Sequence, residues 1–176
     1  MSHLIKFLHD FLPNKNITSY LEIGTREGDS LKAVLSHNQI KNIVISDIWG
    51  GNYGGSSRGN HNHISDMLKL LNYNNNVKFL DGDSKKTIPT LSDEYNNFFD
   101  LILVDGDHSY EGGMEDLENI FPLCKSGGII LFDDISHPAH LYLDKCFDDF
   151  TNKYKDLISN ITKSYDGYGV GTIVKA

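Results

Sequence analysis

The sequence predicts a doubly wound α/β fold: a mostly parallel sheet covered by helices on both faces, with an antiparallel strand at its end. Apolar runs of strand length alternate with stretches of helical period, at Ser19–Ile23, Asn42–Ser46, Val77–Leu80, Phe99–Val104 and Gly128–Phe132. No hairpin signal separates these runs, which indicates parallel strands joined by crossover helices. The chain then closes on Leu157–Ile161 and Val170–Val174, separated by Tyr165-Asp166-Gly167-Tyr168-Gly169, the pattern of a terminal hairpin.

Each element has its own signal. His3–Leu12 reads as an amphipathic helix with Leu4, Phe7, Leu8 and Phe11 on one face, ended by Pro13. The crossover helices are predicted at about Ser30–Ser36, Ser65–Leu71, Ser84–Leu91 and Tyr110–Leu123. A further helix is expected over Leu141–Phe150, with Leu141, Cys146, Phe147 and Phe150 as apolar contacts. The long irregular segment is Trp49–His63, with Gly50, Gly51, Gly54, Gly55 and Gly59; a loop of about 15 residues in a compact chain is usually functional or mobile. No boundary, linker or repeat interrupts the pattern, so residues 1–176 read as one domain, with the N-terminal helix in 1–13 and the long loop at 49–63.

Composition narrows the classes. A chain of 176 residues with 39% hydrophobic content can fill one core. The net charge of -8 and the scattered lysines argue against a nucleic-acid backbone as the main partner. Cys124 and Cys146 form neither a disulfide framework nor a zinc spacing. Cys124, following Ile120 and Phe121 on a helical stripe, reads as a small buried thiol. Met1–Leu12 lacks the apolar region of a secretory signal, and no apolar run approaches about 20 residues. A soluble, cytoplasmic chain without a membrane partner is the expectation.

The candidate ligand residues fall at strand ends. Leu21-Glu22-Ile23-Gly24-Thr25-Arg26-Glu27-Gly28 runs from a strand into a helix, and Gly24 suits a sharp turn that a ligand approaches closely. It carries two glycines, not the three of the dinucleotide fingerprint. A carboxylate at Glu22 would repel a pyrophosphate and favour a ligand that is cationic at that end. Asp47, closing the second strand, stands where a Rossmann-like sheet binds ribose hydroxyls, although a turn or cap also uses Asp there. Gly82-Asp83-Ser84 after the third strand admits two readings, an adenine contact or a helix cap.

The most distinctive stretch is Val104-Asp105-Gly106-Asp107-His108-Ser109-Tyr110-Glu111-Gly112, answered by Phe132-Asp133-Asp134-Ile135 after the fifth strand. Neighbouring strand ends would bring Asp105, Asp133 and Asp134 into one cleft, where they repel one another unless a cation neutralises them. All-oxygen ligation suits a hard ion: Mg²⁺ first, with Ca²⁺ or Mn²⁺ as alternatives. Capping without metal is the competing reading. His108 is placed to take a proton from a substrate hydroxyl. His61 and His63, and His137 and His140, read as exposed or substrate-facing, and Trp49 and Tyr53 as stacking platforms or packing at the loop base.

These motifs together resemble class I S-adenosylmethionine-dependent methyltransferases, and within them methyltransferase family 24, related to cephalosporin-hydroxylase-like and macrocin O-methyltransferase-like proteins. The similarity runs over Ser19–Ala176 and rests on Leu21-Glu22-Ile23-Gly24, Gly82-Asp83-Ser84, the Val104–Tyr110 stretch, Gly127-Gly128 and Phe132-Asp133-Asp134 in order. It implies a seven-stranded sheet whose last strand is antiparallel. The implied cofactor is S-adenosylmethionine, with Glu22, Gly24, Thr25, Gly28, Asp47, Ile48, Asp83, Ser84 and Asp105 as its candidate contacts. It implies a divalent metal on Asp105, Asp133 and Asp134, with His108 and Asp105 catalytic. The expected reaction is O-methylation of a small hydroxylated molecule or a glycan. A catalytically silent, cofactor-binding regulatory subunit is the alternative, and a nicotinamide-dependent oxidoreductase is disfavoured by the two-glycine turn and by Glu22. Many relatives carry a long N-terminal extension over the substrate; here a homo-oligomer is one way to supply that wall.

Overall fold

The computed structural model describes residues 2–50 and 59–176. Seven strands form one sheet in the order β3-β2-β1-β4-β5-β7-β6. They are β1 (Ser19–Ile23), β2 (Asn42–Asp47), β3 (Asn76–Asp81), β4 (Phe99–Val104), β5 (Cys124–Asp133), β6 (Ile158–Ser164) and β7 (Val170–Lys175). The first five run parallel, whereas β7 pairs antiparallel with both β5 and β6. The fold class and the terminal hairpin are thus as the sequence predicts.

Strand alternation splits the core between the two faces. Ile102 and Val104 of β4 join Leu21, Ile23, Ile130 and Phe132 on one face, under Leu117, Ile120, Phe147 and Phe150. Leu101 and Leu103 join Tyr20, Ile43, Ile45 and Leu131 on the other, under Leu4, Leu8, Leu31, Val34 and Ile64. The first cover comes from α5 (Tyr110–Ile120) and α6 (Leu143–Lys153), the second from α1 (His3–Phe11), α2 (Asp29–His37) and α3 (His61–Leu70). Sheet order reverses direction between β1 and β4, so the crevice for a ligand lies at their carboxyl ends.

Several boundaries differ from the sequence expectation. His61-Asn62-His63 is the first turn of α3 rather than the end of a loop, because the Asn60 side chain accepts a bond from the His63 amide at 2.9 Å and caps the helix. The part of the expected loop at 51–58, with Gly51, Tyr53, Gly54 and Gly55, lies outside the described residues. The helix at Ser84 keeps α geometry only over α4 (Ser84–Thr87); it and α5 tighten into 3-10 turns at Ile88–Leu91 and Phe121–Leu123, where Pro89 and Pro122 stand. Cys124 begins β5 and is not on a helical stripe, though its thiol is buried as expected. Leu141 lies before α6 and is exposed, so it makes no core contact. Among the described residues no helix is long and apolar enough to cross a membrane.

Candidate active site

A cleft of about 800 Å³ opens over the carboxyl ends of β1, β2, β4 and β5. After β1, β2 and β5 the chain turns through left-handed residues, Gly24, Trp49 and Asp134. Gly24, following β1, has φ +84°, and a Cβ there would stand 1.8 Å from the Asp105 carbonyl oxygen. Only glycine lets the two backbones approach this closely.

One end of the cleft is organised by Asp47. Its Oδ2 accepts the Arg26 amide at 2.8 Å and its Oδ1 the Trp49 amide at 2.7 Å, so the carboxylate is held rigidly at the rim. Ile48 lies exposed beside it, lining the same wall. Asp83 and Ser84 line the cleft, and Asp83 caps α4, the second of the two readings the sequence left open. Asp83 accepts the Lys85 amide at 3.1 Å, and the Ser84 hydroxyl donates to buried Asp116 at 2.6 Å. The Lys85 ammonium bonds Asp107 at 2.7 Å across the floor.

Three expected ligand residues are not cleft walls. Thr25 is buried, and Gly28 starts α2 beneath Ile64 and Met67. Glu22 is wholly buried under the Gly24 turn, where the Ser30 hydroxyl bonds its Oε1 and Thr25 and Tyr20 stand beside it. Burial pushes its pKa to about 8, so at neutral pH it is largely an uncharged carboxyl. The expectation of a charged carboxylate facing the ligand is therefore corrected: Glu22 supports the turn from below. The acidic character of the cleft comes instead from Asp47, Asp83, Asp105, Asp107, Asp133 and Asp134, which among the described lining residues meet the permanent cations Arg26 and Lys85.

The other end gathers imidazoles and carboxylates. His108 Nε2 lies 3.1 Å from Asp105 Oδ1 and 3.6 Å from Asp134 Oδ2. The hydrogen bond to Asp105 raises the His108 pKa despite burial, while burial raises that of Asp105. His3, from the first turn of α1, places Nε2 3.1 Å from Asp133 Oδ1 and 3.9 Å from Asp134 Oδ1. Asp134 has φ +62°, unusual for a residue with a side chain, and burial followed by the Asp133 charge raises its pKa.

Among the described residues, the ligand atoms that converge within 4.8 Å belong to His3, Asp133 and Asp134, and to His108, Asp134 and His140. The expected trio of Asp105, Asp133 and Asp134 is not such a set: Asp105 turns its Oδ1 to His108 instead. Sequence reasoning gave His3 no role, because its partner Asp133 is 130 positions away. Asp116 and Arg26 were likewise missed; one acts through a buried side chain and the other through its backbone. Of the residues left open, His137 and His140 line the cleft, whereas His61 bonds Asp81 and stacks on Phe79 outside it. Trp49 donates its indole N–H to Asp81 at 2.7 Å and so packs the β2–β3 rim.

A family model described as a methyltransferase domain matches residues 21–135. The uncharacterized protein R132 of Acanthamoeba polyphaga mimivirus is 29% identical over 136 residues, which cover 75% of this chain and 58% of that protein. The chain thus spans little more than half the length of this curated relative. Among solved structures, the SAH-bound methyltransferase PaMTH1 of Podospora anserina aligns with a TM-score of 0.65 at 21% identity, over 98% of this chain and 76% of that one. An O-methyltransferase from Bacillus cereus in complex with SAH gives 0.68 at 17% identity, over 97% and 80%. MycE methyltransferase from the mycinamycin biosynthetic pathway, with Mg and SAH, gives 0.64 at 19% identity, over 99% and 48%.

Proposed function

We propose that this chain, which belongs to the family of methyltransferase domains, binds S-adenosylmethionine in the cleft and methylates a hydroxyl of a small molecule or sugar with help from a divalent ion. The observation that carries this reading is the division of one cleft into two ends. Asp47, held by two backbone amides, and the hydrogen-bonded pair His108 and Asp105 line the same space.

The residues present fit the cofactor. Among the described lining residues carboxyl groups outnumber the permanent cations Arg26 and Lys85, which disfavours a pyrophosphate and favours a ligand carrying positive charge. The lone pairs that Asp47 does not give to the Arg26 and Trp49 amides suit ribose hydroxyls, and Asp83 beside Ser84 suits the adenine edge. Bound there, S-adenosylmethionine supplies a methyl group already activated on a sulfonium. The chain has to orient the acceptor oxygen, exclude water and take the hydroxyl proton. With Nε2 of His108 engaged by Asp105, Nδ1 is the ring nitrogen that receives that proton, and Asp105 balances the imidazolium charge.

The residues fit a divalent ion as well. Asp133 and Asp134 are adjacent, buried carboxylates at the end of β5, a donor pair that burial makes costly without a cation. An ion on them would lower the pKa of an acceptor hydroxyl. Asp105, held by His108, belongs to the proton-transfer pair in this reading and not to the ligand set. The buried thiols Cys124 and Cys146 suit the cytoplasm, and Tyr168, His137 and His140 offer an acceptor wall without basic density for nucleic acid.

A methyl-transfer assay with labelled cofactor against phenols, sugars and glycosides tests this reading. Transfer to oxygen that stops with chelator supports it. Cofactor binding with no transfer to any acceptor would favour a regulatory subunit instead.

A further inference from the structure

The N-terminal helix enters the cleft. Ser2 caps α1, and its hydroxyl accepts the Ile5 amide, so the first helical residue, His3, is fixed at the start of the helix. The His3 ring is then held by the β6–β7 turn. Tyr168 meets it edge-on at 4.8 Å between centroids, and a Cβ at Gly167 would stand 2.3 Å from the His3 Cβ. Gly167 is therefore the space in which His3 sits. The imidazole emerging from this seat directs Nε2 at the two carboxylates of Asp133 and Asp134.

We infer that His3 is a metal ligand, completing with Asp133 and Asp134 a mixed nitrogen–oxygen site that takes a first-row transition ion such as Mn²⁺, Co²⁺ or Zn²⁺ in preference to Mg²⁺. The inference rests on the reading of Asp133 and Asp134 as ligands and adds the third donor and the class of ion. The three donor atoms already lie within 4.8 Å of one another, with two of the residues buried and the third half-buried. Nε2 of His3 and Oδ1 of Asp133 already stand 3.1 Å apart, so a cation between them would replace a hydrogen bond. Carboxylates alone suit a hard ion, whereas an imidazole donor shifts preference towards later first-row ions. Because His3 belongs to α1 and the two carboxylates stand at the end of β5, an ion here also ties the helix to the sheet.

The test uses the tag-free full chain. Co²⁺ binding is followed by its visible ligand-field absorption, and Mn²⁺ and Mg²⁺ binding by calorimetry. Variants are His3→Gln, Gly167→Ala, His140→Ala and Asp134→Asn, each checked for folding by circular dichroism. The expected result is saturable Co²⁺ and Mn²⁺ binding tighter than Mg²⁺, weakened at least about tenfold by His3→Gln. Gly167→Ala, which keeps every donor but displaces the imidazole, should weaken Co²⁺ in the same direction, while His140→Ala leaves it unchanged. Unaltered Co²⁺ affinity and spectrum in His3→Gln, with loss in Asp134→Asn, would overturn the role of His3 and leave the carboxylate site standing. Loss in His140→Ala alone would overturn it by moving the ion to the neighbouring set. An absence of saturable binding in the unmodified chain would remove the metal reading altogether.

Discussion

Nε2 of His108 lies 3.1 Å from Oδ1 of Asp105, both in the turn that leaves β4 at the cleft floor. In the proposed reaction this pair takes the hydroxyl proton, with His108 as base and Asp105 beside it. His108→Asn keeps a polar side chain but no base. The expected result is a roughly hundredfold to ten-thousandfold fall in kcat with cofactor affinity unchanged, read from steady-state rates and calorimetry.

Gly24 carries the geometry of the turn. A Cβ would meet the Asp105 carbonyl at 1.8 Å, in a backbone conformation of φ +84°. Gly24→Ala must push β1 and β4 apart, a change that costs more than about 3 kcal/mol by the mechanisms of strain and disrupted packing. Urea unfolding of the variant should show that loss, and cofactor binding should fall with it.

Glu22 gives the ligand-free protein a specific pH dependence. Its carboxyl is buried among Tyr20, Thr25 and Ser30, with the Asp105 charge adding to the effect of burial, and its pKa rises from 4.5 to about 8. The folded state therefore binds this proton more tightly than the unfolded chain does. The stabilisation is complete below pH 4.5 and is lost as the pH rises to about 8. Glu22→Gln keeps the shape without the titration. Its stability should stay flatter across that window and exceed the unmodified protein at the alkaline end by on the order of a few kcal/mol. Thermal melts at a series of pH values check this, and an unchanged slope would count against a buried, protonated Glu22.

Asp134 separates metal from cofactor. Asp134→Ala removes a donor common to both imidazole–carboxylate sets, so transfer should stop while S-adenosylmethionine still binds. Chelation of the unmodified protein should have the same outcome and be reversed by added Mn²⁺. Turnover unaffected by both treatments would eliminate the ion from the reaction.

The sheet was legible because parallel strands buried on both faces, such as Phe99–Val104, have no polar alternation to confuse with anything else. That Asp47, Asp83 and Ser84 line one cleft was legible because residues at successive strand ends share a cleft whatever the loops do. Glu22 was misread because burial depth, which sets its charge state, leaves no trace in the local sequence. His61 was placed in a loop because Gly59 and Asn60 look irregular, whereas Asn60 caps a helix. His3 was missed because its function depends on the turn at Gly167, far along the chain.

Calorimetric titration decides whether the acidic cleft holds S-adenosylmethionine. S-adenosylmethionine should bind saturably at one site, with Asp47→Ala weakening it by about tenfold, equivalent to about 1.4 kcal/mol, and NAD should bind far more weakly. Tighter binding of NAD, or no binding of S-adenosylmethionine at all, would contradict it.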